Sequence, residues 1–434
     1  MNSKKRRCPL IKSGHLFYFK RSASLPFIIF LCVVSSLQCQ TKKGNNQLIT
    51  GADRLISEYS NLLINKKIGV VFNQTSQLPN GTHLLDTLSN LYNVVSVFSP
   101  EHGLKGNIEA GKKFFDSKNS SSKIKFHSLY GLWKKPTKEM LKGIDLLIYD
   151  LQDIGVRYYT YISTLFYVLE AAAENKIPII ILDRPNPLNG YKIEGPILNK
   201  EFKSFIGIAP IAVRYAMTAG ELTNYFMGEG LIKNSSDLNL KIIKLKNWDR
   251  NKYYDYYYVN NWQKTSPNIP DLNTAIVYPG TCLIEGTNIS EGRGTFHPFL
   301  QIGAPFINPS KLITEIEKLD IQGVELKPIK FTPKSIPGMS TFPKYKDAEC
   351  EGIKIILTNK EKFNSVEFGI KLVYAINKLY PKQLKFRNEH FNRLIGNNIT
   401  IKKIRAGIKP EEIILSWTKE LNDFKKIRNK YLFY

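Results

Sequence analysis

Short apolar segments alternate with amphipathic segments along the first half of this chain, and this alternation restricts its fold more than any other feature. The predicted strands, which are rich in Val, Ile and Leu, are residues 67–72, 93–98, 124–129, 144–149 and 178–182. The predicted helices between them are residues 53–63, 82–91, 137–141 and 160–175. Such alternation is typical of βαβ units, in which helices cover both faces of a parallel sheet. We therefore predict an α/β fold with an open parallel sheet.

Polar side chains follow four of these strands at the point where each strand ends. They are Asn73 and Gln74, then Glu101 and His102, then Asp150, Asp153 and Arg157, and finally Asp183, Arg184 and Asn186. Each group alone is ordinary turn chemistry. The carboxyl ends of parallel strands meet at one edge of the sheet, however, and ligands of open α/β sheets bind there. Four polar groups at one edge therefore predict a functional site.

The second half of the chain contains one stretch that is rich in both glycine and polar groups. Residues 275–294 include Glu285, Asn288, Glu291 and Arg293, and we predict a loop whose side chains converge on a ligand.

The elements predicted after this loop are helices at 309–318 and 364–380, a strand at 352–358 and a pair of helices at 409–431. A chain of 434 residues exceeds the size of a single core. We expect a first domain at 51–265 and a smaller α+β domain at 266–434.

The N-terminal segment has the composition of an export signal. Residues 1–39 carry seven Lys and Arg and no acidic residue, and residues 25–37 are an apolar run too short to span a membrane. Cys39 is a candidate lipidation site, so both a soluble periplasmic protein and a membrane-anchored lipoprotein are expected alternatives. Residues 40–50 form a polar tether. Cys282 and Cys350 remain after signal removal, and one disulfide between them is an open alternative.

Composition and motifs exclude several functional classes. No Gly-x-Gly-x-x-Gly follows the first strand and no Gly-x-x-x-x-Gly-Lys-Ser/Thr occurs, so neither a dinucleotide nor a nucleoside triphosphate is indicated and we expect no cofactor. The formal net charge is +25, seven units of which belong to residues 1–39. The other basic residues are scattered and no nucleic-acid-binding motif is present, so we expect no nucleic-acid partner.

Five longer motifs occur along the chain in a fixed order. They are Ser-Pro-Glu-His-Gly (99–103), Asp-Leu-Gln-Asp-Ile-Gly-Val-Arg-Tyr-Tyr-Thr-Tyr (150–161), Leu-Asp-Arg-Pro-Asn-Pro-Leu-Asn-Gly (182–190), Glu-Gly-Thr-Asn-Ile-Ser-Glu-Gly-Arg-Gly-Thr (285–295) and Arg-Asn-Lys-Tyr-Leu-Phe-Tyr (428–434). Together they resemble the motifs of NamZ-type exo-β-N-acetylmuramidases, from about residue 51 to the C-terminus. One departure is Tyr215-Ala216, where that family is expected to have His-Gly before Met-Thr-x-Gly-Glu-Leu.

The resemblance implies both an architecture and a reaction. It implies a Rossmann-like domain, a C-terminal auxiliary domain and an active site in the cleft between them. The implied reaction releases N-acetylmuramic acid from the non-reducing end of peptidoglycan-derived disaccharides or short glycans, with Glu101 as the catalytic glutamate. A proton donor needs its carboxyl kept protonated, and burial at a strand end acts in that direction. His102 is expected to orient the substrate rather than to donate the proton.

A glycosidase usually needs a second carboxylate, and four acidic residues qualify. They are Asp153, Asp183, Glu285 and Glu291. The 2-acetamido group of the substrate is an alternative nucleophile. The anionic lactyl group calls for a guanidinium, and the candidates are Arg157, Arg184 and Arg293. The remaining candidate substrate-binding residues are Asn73, Tyr158, Asn186, Thr287 and Asn288.

Two other classes of function stay open from the sequence. A metal-dependent hydrolase could use Glu101, His102, Asp150 and Asp183 as ligands, although no His-x-x-x-His spacing is present. A non-catalytic binder of cell-wall sugars would keep the cleft and its aromatic residues, but its binding would not depend on the protonation of Glu101.

Overall fold

A six-stranded parallel sheet forms the centre of the first half, as the alternation predicts. Its strands are β1 (Lys67–Phe72), β2 (Asn93–Ser99), β3 (Lys125–Ser128), β4 (Leu146–Asp150), β5 (Ile179–Leu182) and β6 (Leu240–Ile243). Their order in the sheet is β3-β2-β1-β4-β5-β6, with every neighbouring pair parallel. This is the strand order of a Rossmann-like sheet, so the predicted fold class is confirmed. The edge strand β6 was not predicted.

The computed structural model describes residues 47–109, 112, 124–259 and 261–434. Residues 48–434 form one compact unit. The predicted signal segment and Cys39 lie outside the described residues. Across the described part of the chain, no helix combines the length and the apolar character needed to cross a membrane.

Cys282 and Cys350 are both buried and free, so the alternative of a disulfide between them is wrong.

Alternate residues of the central strands enter two different cores. Val71 and Tyr149 belong to the core on one face of the sheet, whereas Val70 and Ile148 belong to the core on the other. Side chains of a strand point to opposite faces in turn, so a sheet covered on both faces needs apolar residues at every position. This is why the strand sequences are continuously apolar.

Helices cover this sheet at the positions where amphipathic segments were expected, with one exception. The helices of the first half are α1 (Gly51–Glu58), α2 (Leu84–Leu91), α3 (Tyr161–Asn175) and α4 (Ala219–Gly228). The predicted helix at 137–141 is wrong, because these residues form turns. Only one turn fits between Pro136 and Gly143, whose φ of +80° is incompatible with a helix.

The second half is a small antiparallel sheet packed with helices. Its strands are β7 (Gln301–Ala304), β8 (Val324–Phe331) and β9 (Cys350–Leu357), in the order β7-β9-β8. Its helices are α5 (Leu272–Thr281), α6 (Pro309–Glu317), α7 (Ser365–Leu379), α8 (Asn388–Ile395), α9 (Ile399–Arg405), α10 (Pro410–Leu415) and α11 (Thr418–Asn429). The sequence predicted only β9, α6, α7 and the last two helices.

The loop predicted at 275–294 is partly helical, which corrects the prediction. Residues up to 281 belong to α5 despite an internal Pro279, and Cys282–Gly286 form a 3₁₀ turn. Helix α5 survives the proline because it packs closely on α7, where Gly280 faces Gly369 with no room for a Cβ on either residue. Irregular backbone with converging side chains begins only at Thr287.

Candidate active site

The turn after β2 carries Glu101 and His102 in a buried position. Glu101 is 9% exposed and His102 is 5% exposed. His102 and Gly103 both have left-handed backbone, with φ of +74° and +73°. Because such geometry is costly for a histidine, the surrounding contacts must hold the turn in place. The turn therefore fixes the Glu101 carboxyl at the carboxyl end of the sheet.

Two hydrogen bonds orient this pair of side chains. The hydroxyl of Thr160, at the start of α3, donates to Oε2 of Glu101 over 2.7 Å. Nδ1 of His102 lies 2.7 Å from the carbonyl oxygen of Ile108, which can only accept, so Nδ1 carries the proton. Burial lowers the pKa of His102 although the charge of Glu101 acts in the opposite direction. His102 is therefore neutral at pH 7, with Nε2 as a hydrogen-bond acceptor.

Asn73, after β1, helps to hold the neighbouring aromatic residues. Its side-chain nitrogen donates to the hydroxyl of Tyr161 over 2.8 Å, and that hydroxyl donates to the carbonyl of Thr265 over 2.7 Å. Oδ1 of Asn73 accepts from the hydroxyl and the backbone N–H of Thr75. Because Asn73 is fully buried, these contacts tie the exit of β1 to the start of α3.

The two carboxyl oxygens of Asp153, which follows β4, differ in their hydrogen bonds. Oδ2 accepts from the backbone N–H of Gly155 over 2.6 Å and from the hydroxyl of Tyr215. Oδ1 is buried and finds no hydrogen-bond partner among the residues that the structure describes. Burial raises the pKa of Asp153 to about 6, and the interactions with the Tyr215 hydroxyl and with the backbone N–H groups of Gly155 and Ile154 offset only part of that effect. Asp153 can therefore exchange a proton close to neutral pH.

Two of the three candidate arginines are held by partners within the scaffold. Arg157 is fully buried, and its guanidinium donates to the carbonyl oxygens of Pro196, Ile211 and Leu394. Arg184 is buried in a two-pronged ion pair with Asp150. A guanidinium with all these partners already in place is a scaffold element.

The other residues predicted after β5 are also engaged within the scaffold. Asp183 accepts hydrogen bonds from the hydroxyls of Thr218 and Tyr434 and from the backbone N–H of Gly220. Asn186 donates to the carbonyl of Met217 over 2.9 Å. Four donors, counting the backbone N–H of Arg184 as well, surround the Asp183 carboxyl and hold the C-terminus and the start of α4 against β5.

The second half contributes a cluster of charged side chains. Arg293 contacts Oε1 of Glu285 over 2.6 Å and Oε1 of Glu291 over 3.4 Å, and Lys344 contacts Oε2 of Glu291 over 2.9 Å. His390 lies 3.9 Å from Glu285. Burial acts to raise the pKa of Glu285, but the charge of Arg293, the hydrogen bonds from His390 and Arg293 and the charge of Lys344 together outweigh it, and the pKa falls to about 2. Glu285 is therefore an anion throughout the physiological pH range.

The other predicted residues of this half shape the backbone. The hydroxyl of Thr287 donates to the carbonyl of Ile284 over 2.8 Å. Asn288 exchanges hydrogen bonds with the backbone of Gln383 and Lys385. These contacts fix the direction in which the loop after α5 leaves the 3₁₀ turn.

Contacts between the two halves bring the Glu101 turn next to the charged cluster. Arg293 is close enough to His102 for its charge to lower the pKa of the imidazole. On the loop that begins with His102, Glu109 accepts from the backbone N–H of Thr341 over 2.6 Å and from its hydroxyl. Tyr158, before α3, donates to the carbonyl of Pro279 in α5. The structure thus places Glu101 and His102 near Arg293, Glu285 and Glu291.

Sequence reasoning missed three residues that complete this region. Thr160 is part of the motif at 150–161, and its position as the first residue of a predicted helix was the only available signal. Glu109 and Lys344 carry no pattern at all, because their partners lie in distant segments.

The metal-ligand alternative finds no support in side-chain geometry. In the described ranges, no three His, Cys, Asp or Glu side chains are grouped so that they could hold a metal ion. Of the proposed ligands, Asp150 is already paired with Arg184.

A cavity of about 690 Å³ lies at the opposite, amino edge of the sheet, and its lining includes Lys67, Asn93 and Asp145 but none of the predicted site residues.

Comparison with known proteins places both halves in one family. Residues 68–273 match the N-terminal part, and residues 276–434 the C-terminal part, of the exo-β-N-acetylmuramidase NamZ family. The chain is 41% identical over 391 residues to the peptidoglycan β-N-acetylmuramidase NamZ of Bacillus subtilis, covering 89% of this chain and 91% of that protein.

Solved structures agree with this assignment. A DUF1343 family protein from Bacteroides fragilis has a TM-score of 0.81 at 30% identity, over 90% of this chain and all of that one. A second DUF1343 family protein of the same organism has a TM-score of 0.71 at 32% identity, over 89% of this chain and 99% of that one. The resemblance carried by the five motifs is therefore confirmed, and the chain belongs to the NamZ family of exo-β-N-acetylmuramidases.

Proposed function

We propose that this enzyme hydrolyses the β-glycosidic bond of a non-reducing terminal N-acetylmuramic acid in peptidoglycan fragments, with Glu101 as the general acid. The observation that carries the proposal is the position of Glu101, which lies buried at the carboxyl edge of the sheet beside His102, and Arg293 of the charged cluster is close enough to His102 to act on its pKa. A buried carboxyl can protonate a leaving-group oxygen when solvent is excluded. The neutral His102 beside it would accept a hydrogen bond from a sugar hydroxyl.

Asp153 is the second carboxylate in this proposal. The other three candidates are engaged: Asp183 has four donors, and Glu285 and Glu291 are each paired with a cation. Strands β2 and β4 lie on either side of β1, so their axes are about 10 Å apart. We propose that the two carboxyls keep the wide separation of about 6.5–9.5 Å that leaves room for an attacking water and gives inversion.

We assign recognition of the lactyl carboxylate to Arg293. It is the one arginine of the three candidates that lies beside the Glu101 turn. Its side chain is 20% exposed, whereas Arg157 and Arg184 are buried. Nε and Nη2 of Arg293 already bind Glu285, so a lactyl carboxylate would be bound through Nη1, and this charged contact would select muramic acid over glucosamine.

We also propose export through the segment at residues 1–39, with Cys39 as the attachment point if the protein is lipidated. Metabolic labelling with a fatty acid separates the two forms. Label in the wild-type chain that is lost in Cys39→Ala supports the lipoprotein, and an unlabelled, soluble periplasmic chain supports the alternative.

Glu101→Gln tests the catalytic assignment. The amide keeps the shape of the side chain but cannot donate the proton, so release of N-acetylmuramic acid should fall by at least about 100-fold. Glu174→Gln at the exposed end of α3 serves as the matched control and should keep full activity.

The role of Asp153 is tested by following with NMR which anomer of N-acetylmuramic acid is released first. An α product supports inversion with Asp153 as the base, and a β product would rule out inversion.

A further inference from the structure

Two phenylalanine side chains of the second half project into solvent without an evident reason in the fold. Phe296 and Phe342 are each 81% exposed, the highest exposure among the large hydrophobic residues that the structure describes. A single exposed apolar residue needs no explanation, whereas a group of them beside a cleft marks a binding surface. Whether these two phenylalanines form a binding surface therefore depends on where they lie relative to the site.

The loops that carry the two residues are bonded to each other. The backbone N–H of Lys334 donates to the carbonyl of Gly294 over 2.8 Å, and Gly294 packs against Pro343 with no room for a Cβ. Phe296 follows Gly294 by two residues, and Phe342 directly precedes Pro343. The two phenylalanines thus sit on adjacent loops, and we call them together the phenylalanine rim.

The same two loops border the candidate active site. Arg293 directly precedes Gly294 and lies near His102. Thr341 directly precedes Phe342 and is hydrogen-bonded to Glu109, on the loop that begins at the Glu101 turn. The phenylalanine rim is therefore continuous with the site.

We infer that Phe296 and Phe342 bind the sugars of the leaving group, that is, the glycan beyond the bond that is cut. This inference rests on the proposed function. An enzyme that removes a terminal sugar must let the rest of the glycan leave through the mouth of its site, so that glycan has to cross whatever borders the mouth. Pyranose rings present faces of C–H groups that pack on aromatic rings, and such packing releases water from both surfaces. Exposed phenylalanines suit this occupant because they impose no hydrogen-bond requirement.

The test compares two peptide-free substrates that both begin with N-acetylmuramic acid, a disaccharide and a hexasaccharide. In Phe296→Ala/Phe342→Ala, kcat/KM for the hexasaccharide should fall about 10-fold through KM, while kcat stays unchanged and the disaccharide is affected much less. Phe296→Trp/Phe342→Trp should keep the wild-type ratio. Leu415→Ala, at an apolar residue of α10 that is 70% exposed, is the control and should change neither substrate.

Three results would overturn the inference. One is an unchanged ratio between the two substrates in the double alanine variant. Another is a loss confined to glycans that carry stem peptides, which would assign the phenylalanine rim to the peptide. The third is a dimeric wild-type chain that becomes monomeric in the variant, which would make the rim a contact between copies.

Failure of the proposed function gives a different result. A wild-type chain that releases no N-acetylmuramic acid from either substrate would overturn that function. Calorimetric binding of the hexasaccharide to Glu101→Gln, with and without the two phenylalanine changes, then still tests the rim. Equal affinities would reject it, and affinity weakened about 10-fold by the alanines would support it.

Discussion

The hydroxyl of Thr160 donates a 2.7 Å hydrogen bond to Oε2 of Glu101 across 59 residues of chain. Thr160 is the N-cap residue of α3, a position where threonine usually accepts a bond from the backbone of the first turn. Here its side chain makes no such bond within the described chain. The helix start thus gives up a capping interaction in order to orient the carboxyl after β2.

We expect Thr160→Val to lower kcat about 10-fold with little change in KM, because the Glu101 carboxyl loses the donor that orients it. Thr160→Ser should retain most of the activity. Thr164→Val is the matched control, since the buried Thr164 hydroxyl bonds the carbonyl of Thr160 over 3.3 Å. Steady-state kinetics would contradict the assignment if both valine variants lost the same activity.

Tyr215→Phe should shift the acidic limb of the pH profile of kcat/KM. A base must be ionised, and the pKa of Asp153 is raised by burial to about 6, so we expect activity to fall below about pH 6. The Tyr215 hydroxyl donates to Asp153 and stabilises the ionised form. Its removal should therefore raise the pKa of Asp153 and move the limb to higher pH by about one unit. A limb that stays in place would exclude Asp153 as the base.

The raised pKa of Asp153 also predicts the pH dependence of folding. A carboxyl whose pKa is higher in the folded state than the unfolded value of 3.8 contributes stability that is complete below pH 3.8 and is lost as pH rises through about 6. Asp153→Asn does not titrate, so the free energy of unfolding of the wild type should fall relative to that of the variant by about 2 kcal/mol between pH 4 and pH 8. Urea unfolding at several pH values measures the difference, and a constant difference would contradict the shift.

Arg293→Lys should lower kcat/KM for N-acetylmuramides about 10- to 100-fold while leaving the slow reaction of N-acetylglucosaminides unchanged, because only the former carry the lactyl carboxylate. The lysine keeps a positive charge beside Glu285 and Glu291. Arg157→Lys offers the contrast: it removes donors from three buried carbonyls and should reduce stability without changing the preference between the two sugars. Equal losses on both sugars in Arg293→Lys would disprove the recognition role.

Tyr434→Phe should destabilise the fold by about 1–3 kcal/mol, because the hydroxyl of the last residue links Asp183 to the backbone N–H of Leu245 and both partners would lose it. Tyr431→Phe removes a more exposed hydroxyl bond to Glu229 and should cost much less. Thermal unfolding of the two variants provides the measurement. Equal melting temperatures would show that the C-terminal residue does not support the sheet.

The fold was predictable where local sequence and tertiary environment agree. Strands β1, β2, β4 and β5 are largely buried on both faces, so their sequences are mostly apolar and could be recognised. Strand β8 is an alternating segment with an internal Pro328 and was missed, although its period of two was a usable signal. Helix α5 was missed because Pro279 and Gly280 argue against a helix in isolation, and its packing on α7 overrides that local preference.

The sequence by itself determined the parallel sheet, the family motifs and the position of Glu101 directly after a strand, because these depend on periodicity and on the position of polar residues after strands. It could not distinguish Arg293 from Arg157 and Arg184, which occur in equally suggestive motifs. Only the tertiary structure separated them. The partners of a guanidinium are backbone and carboxylate oxygens, some of them supplied by segments more than a hundred residues away, and no local pattern records which arginine has them.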